Sequence, residues 1–203
     1  MLEQYRSFIR NKFFLGALLI VGFVYVTVFC FLENPLLEEN TASLIGLKYP
    51  ALFFLWLTLT GAAFFFNSRA MYLSYGCRSI VGRAAIWAAL CALPVIFFVH
   101  GEILESGEIF YPGVSKPVHW AATIIFMLGD ALSIGILFIY ACKKVKRFRW
   151  LCVGIGGIVA GMLAVFFIFG KSGLFETAPI WLAYVMLFLV NCTGLFALPK
   201  ETA

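Results

Sequence analysis

Asp130 lies about 12 residues into a long apolar run, near the centre of a prospective membrane span. A carboxylate at that depth costs at least about 2.5–3.5 kcal/mol on insertion scales. It therefore calls for a partner, a water-filled cavity or a neutralising proton. His119 stands 11 residues earlier, and at 100° per residue the two come within about 20° of one another on a helical face. Thr123 and Ser133 fall close to the same stripe. Matching depth between apolar runs puts Thr60, Asp130 and Asn191 in one layer, with Tyr184 on the face of Asn191 and nearer the outside. The pattern predicts Asp130 hydrogen-bonded to Asn191 and Thr60. It serves either as interhelical glue or, with Thr123 and Tyr184, as a ligand- or ion-binding site.

A second group gathers at run ends. His100 and Glu102 close the third run, Glu105 and Glu108 follow, His119 opens the fourth, and Glu176 precedes the sixth. Histidine beside carboxylates can move protons or hold a metal, so His100, Glu102, His119 and Glu176 are the candidate catalytic residues. With 2 histidines in the chain and no H-x-x-x-H or H-E-x-x-H helix, no metal and no cofactor are expected. A solvated acidic loop accounts for the same residues. The loop serines Ser43, Ser106, Ser115 and Ser172 have no base at a fixed spacing, and no G-x-S-x-G elbow occurs. The 6 cysteines contain no C-x-x-C pair and read as small buried residues.

The elements that must position these groups are read from hydropathy. The chain is 63% hydrophobic, 12% charged, with a mean hydropathy of +0.99. Soluble domains are about 45–50% apolar and about 25% charged. Spans of about 20 residues are predicted at 13–32, 49–66, 81–100, 118–141, 150–169 and 179–198. Of the 15 Lys and Arg residues, all but Lys48, Lys116 and Lys171 lie in alternate segments, beginning with the N-terminus. Of the 10 acids, all but Glu3, Asp130 and Glu201 lie in the other segments. Basic loops resist translocation. The expectation is an all-α, six-span membrane domain over 1–203, in the plasma (cytoplasmic) membrane, with both termini cytoplasmic. The first apolar run exceeds a signal-peptide core and lacks a cleavage site, so it is read as retained. The net charge of +5 follows from the same bias and implies no nucleic-acid partner.

Small residues mark close helix packing. Ala84, Ala88 and Ala92 recur every four residues in span three, and Gly157 and Gly161 do so in span five. Either face could instead join a homo- or hetero-oligomer. Pro94 should kink span three. The basic loop from Lys143 to Arg149 anchors topology and can attract anionic lipid.

Several stretches resemble the DRAM/FRAG/SFK group of six-helix membrane proteins and its prokaryotic relatives. Tyr111-Pro112, then His119 opening a span with Phe126 beyond it, resembles that group's fourth span. Gly173-Leu174-Phe175-Glu176 followed by Pro179 and Trp181 resembles its sixth, and Ser43 with Tyr49-Pro50 before the run 51–66 is loosely similar. The resemblance implies a six-helix bundle with an outward-facing polar region around His119 and Glu176, and a link to lipid remodelling or membrane organisation. It implies no established reaction. Four readings stay open: binding a membrane lipid or other apolar ligand through an outer cleft, transport or conduction through Asp130 and Asn191, hydrolysis or transfer at the His/Glu cluster, and a non-catalytic partner subunit. Whether the protein is an enzyme is not decided by the sequence.

Overall fold

The computed structural model describes residues 8–9, 11–37, 40–104, 109–170 and 172–198. Helices dominate, in the order α1 (Lys12–Cys30), α2 (Ala42–Lys48), α3 (Pro50–Tyr75), α4 (Ile80–Phe98), α5 (Ser115–Cys142), α6 (Phe148–Phe169) and α7 (Gly173–Asn191). Two-residue strands β1 (Glu102–Ile103) and β2 (Ile109–Phe110) pair antiparallel between α4 and α5, and a 3-10 turn, Gly194–Phe196, follows α7. Five helices, α1, α3, α4, α5 and α7, are long and apolar enough to cross a membrane. The chain is thus a helical protein with the character of an integral membrane protein.

The boundaries depart from the hydropathy reading where local chemistry overrides it. Span two was expected to stop at 66, but α3 runs on to Tyr75. Asn67, Ser68 and Arg69 end the apolar run without breaking a helix. What stops it is Gly76, whose φ of 66° is the left-handed conformation suited to a glycine cap. At 26 residues α3 is about 39 Å long, so its polar last turns extend past a hydrocarbon core of about 30 Å. The sixth run starts six residues early, at Gly173, because the Ser172 hydroxyl accepts from Phe175 N–H as an N-cap. It closes at Asn191, leaving Pro179 inside the helix.

α4 and α5 form the tightest pair. Gly129 makes that approach possible, since a Cβ there would sit 2.7 Å from the Ala85 carbonyl oxygen. The alanine stripe is divided by this packing. Ala85, Ala89 and Ala92 are buried, while Ala84 and Ala88 are exposed. α1 packs on α3 and α7, α3 also meets α4, α5 and α7, and α6 lies at the edge against α5 and α7. Gly157 and Gly161 of α6 are exposed, with open space where a Cβ would project.

Hydrogen bonds show which helix ends meet. Leu174 N–H donates to the Pro35 carbonyl, and Ala42 N–H reaches Glu176, gathering the end of α1, α2 and the start of α7 at what is here named the outer end. At the inner end, Tyr75 OH donates to the Phe196 carbonyl and Lys144 Nζ to the Tyr75 carbonyl.

Candidate functional site

The outer site starts with a carbonyl that has no helical donor. Val99 is the C-cap of α4, and the carbonyls at a helix end lack i+4 partners. His119, on the second turn of α5, fills that need: its Nδ1 lies 2.9 Å from the Val99 oxygen. A carbonyl only accepts, so Nδ1 carries the hydrogen. In the neutral ring Nε2 is then the acceptor, and the Ser43 hydroxyl, 3.2 Å away, donates to it. His119 itself is buried, at 4% exposure.

Ser43 is held by the first turn of α2. The Thr41 side chain caps that turn by accepting from Leu44 N–H, and Glu176 Oε2 accepts from Ala42 N–H at 2.9 Å. Glu176 comes from the first turn of α7, which is pressed against the loop after α1. Only glycine fits at 173, where a Cβ would collide with the Asn40 carbonyl oxygen. Nearby, burial and the Glu176 charge raise the Tyr111 phenol above its ordinary value. The outer region of Ser43, His119 and Glu176 is thus assembled from α2, the end of α4, α5 and α7.

A small pocket of about 40 Å³ opens between Ser43 and Glu176, and Trp56, Thr123 and Phe126 also line it. Trp56 stacks on Phe53, with ring centroids 5.7 Å apart, and is 5% exposed. Its indole N–H has no acceptor among the described residues. A buried donor without a partner costs about 1–3 kcal/mol, so this corner of the pocket favours an oxygen atom from elsewhere.

Asp130 belongs to a different space. It lines a cavity of about 260 Å³ between α5, α6 and α7 whose other walls are almost wholly apolar, among them Phe64, Ile134, Ile155, Ala183 and Met186. Phe126, Met127 and Ile180 line both this cavity and the small outer pocket. Asp130 is 6% exposed and makes no hydrogen bond to a described residue.

The expected layer of Thr60, Asp130 and Asn191 is therefore not joined by hydrogen bonds. Asn191 Nδ2 donates to Asn67 Oδ1 at 2.8 Å, and Tyr184 OH donates to Thr60 Oγ1 at 3.3 Å. The expected depth match does not hold: Thr60 is level with Tyr184, and Asn191 meets α3 seven residues further on, at Asn67. Asp130 joins neither pair and lines the apolar cavity instead. Ser133 meets Tyr72 of α3, its carbonyl accepting from Tyr72 OH at 2.9 Å and its hydroxyl donating to the same phenol oxygen at 3.4 Å. Thr123 Oγ1 donates to the His119 carbonyl at 2.9 Å.

His100 stacks on Phe97, with centroids 6.2 Å apart, and Glu102 is exposed on β1. Neither makes a hydrogen bond to His119 or Glu176 among the described residues. Glu105, Glu108 and Ser106 lie outside the described residues. Among the described residues no three His, Cys, Asp or Glu side chains converge as a metal site would require.

Sequence reasoning named Ser43 but found no base for it, because the base lies 76 residues away. It passed over the Val99 carbonyl and the Trp56 N–H entirely. A backbone oxygen has no residue-type signal, and a tryptophan near a span end is ordinarily an interface anchor. Comparison of the chain with protein-family models, with curated proteins and with solved structures finds no match.

Proposed function

We propose that this is a six-span protein of the plasma membrane, with both termini in the cytoplasm, that binds a lipid in the cavity between α5, α6 and α7. The acyl chain occupies the apolar space and the polar end of the ligand reaches Ser43, His119 and Glu176. One observation carries the reading: Phe126, Met127 and Ile180 line both the apolar cavity and the polar pocket, placing the two side by side. An amphipathic ligand matches such a pair, because apolar walls with a few placed polar groups are what bind and orient it.

The six-span reading takes α6, a 22-residue helix, as the span added to the five already described, and the sorting of Lys and Arg among the loops supports the orientation. The resemblance to DRAM/FRAG/SFK proteins points toward lipid-linked roles. The open Gly157–Gly161 face of α6 is where another helix could approach closest. Transport through Asp130 and Asn191 is less favoured, since Asn191 is engaged with Asn67 and is not among the residues lining the cavity that holds Asp130.

The test is native mass spectrometry of the purified protein released gently from detergent. A defined lipid adduct is expected on the wild type, and Ala183→Phe, which fills the cavity, should remove it. A wild type that carries only scattered detergent sinks the lipid reading.

A further inference from the structure

We infer that Ser43 and His119 form the nucleophile–base pair of an ester hydrolase or acyltransferase acting on an acyl ester. This rests on the lipid-binding reading and names what the site does to the ligand. Nucleophilic serine needs three things: a base within hydrogen-bond reach, a group that orients the base, and a donor for the charge that develops on the acyl oxygen.

The first two are present as distances. Ser43 Oγ lies 3.2 Å from His119 Nε2, and His119 Nδ1 lies 2.9 Å from the Val99 carbonyl oxygen. That oxygen takes the place a carboxylate holds in a Ser-His-Asp triad. It selects the tautomer with a free Nε2 lone pair, although it contributes less charge to the imidazolium. The third is Trp56. It lines the same pocket as Ser43, is nine-tenths buried, and its N–H has no described acceptor. The neighbouring 260 Å³ cavity has almost wholly apolar walls, which selects an ester with a hydrocarbon acyl chain.

The reaction balances without a further reagent beyond water or an acceptor alcohol. Ser43 Oγ attacks the ester carbonyl carbon while its proton passes to His119 Nε2. The tetrahedral intermediate collapses, the C–O bond to the alcohol breaks, and His119 returns the proton to the departing oxygen. The acyl-serine is then attacked by water or by the second alcohol, which gives its proton to His119. The Ser43–acyl bond breaks and Ser43 takes the proton back, releasing a fatty acid or a new ester.

The experiment treats purified, detergent-solubilised protein with a fluorophosphonate, in which serine oxygen forms the P–O bond and fluoride leaves, and separately with p-nitrophenyl butyrate and palmitate. Expected are a label on the Ser43 peptide, its loss in Ser43→Ala, and ester turnover reduced by about 100-fold or more in both Ser43→Ala and His119→Gln. Ser43→Ala removes only a hydroxyl and leaves the Ala42–Glu176 and Thr41–Leu44 bonds in place, and an unchanged helical circular-dichroism melt in detergent reports its intact fold. An unlabelled wild type that still carries its lipid overturns the catalytic inference alone. Labelling that persists undiminished in Ser43→Ala also overturns it. A wild type labelled at Ser43 but free of lipid overturns the binding reading alone.

Discussion

The two ends of the bundle use their polar side chains in opposite ways. At the inner end, donors are consumed by carbonyls left over where helices stop. Lys144 Nζ bonds the Tyr75 oxygen at 2.7 Å, Tyr140 OH the Gly76 oxygen at 3.1 Å, Tyr75 OH the Phe196 oxygen at 2.7 Å, and Arg147 the Leu195 oxygen at 3.1 Å. Each pair satisfies a terminal carbonyl, a net contribution of about 1 kcal/mol. An open cleft of about 530 Å³ lies here too, but of its lining residues Tyr140 donates to the Gly76 carbonyl and Ser79 accepts from Gly82 N–H as the N-cap of α4. Ser68 Oγ and Arg69 Nε are buried without described partners, yet neither lines any of the cavities described above. At the outer end one carbonyl, that of Val99, orients an imidazole instead, and the unpaired Trp56 donor lines the pocket. The lesson is that polar density does not mark the site. A donor left unpaired beside a cavity does.

The strongest way to break this contrast is to disturb the helix pair α4 and α5, whose ends carry the Val99 carbonyl and the His119 imidazole it orients. Gly129→Leu forces α4 and α5 apart, since a Cβ already meets the Ala85 oxygen at 2.7 Å. Overpacking of this kind costs about 1–3 kcal/mol or more. Thermal unfolding in detergent should fall, and the fluorophosphonate label should fall with it. Retention of full labelling would show that the outer site does not depend on that contact.

Two aromatic-to-phenylalanine changes sharpen the contrast. Trp56→Phe removes the unpaired donor while keeping an aromatic ring, so ester turnover should drop about 100-fold or more, with the melting temperature unchanged or slightly raised. Tyr75→Phe does the reverse. It strands the Phe196 carbonyl, so stability should fall by about 1–3 kcal/mol, with turnover and lipid retention unaffected. If the two variants exchanged phenotypes, the division between structural and functional ends would collapse.

Asp130→Asn should have the smallest effect. The shape is retained, no hydrogen bond to a described residue is lost and a carboxylate is replaced by a neutral amide, so the melting temperature should hold or rise and the lipid adduct should remain. A large fall in melting temperature would reveal a partner for the carboxylate.

Much of the scaffold was legible because hydropathy is local. A window of about 20 residues reports whether a segment suits a membrane, whatever it packs against, and polar punctuation reports where loops fall. Boundaries were read less well where polar residues continue a helix, as at Asn67–Arg69, or where a capping serine starts one early, as at Ser172. Among the site residues, His119 and Glu176 stood out as ionisable groups at the ends of apolar runs.

The sequence by itself determined the long apolar helices, the sorting of charge between alternate loops, and the presence of His119, Glu176 and Asp130 at those positions. Only the tertiary structure decided what each one meets. His119 faces Ser43 and the end of α4, Asn191 faces Asn67 rather than Asp130, and Asp130 faces the cavity. The reason is that counting along one helix fixes neither how far it is offset against its neighbours nor its rotation and tilt, so the Thr60–Asn191 layer came out seven residues out of step. Those are set by distant close approaches such as Gly129 on Ala85 and Gly173 on Asn40, which no local window contains.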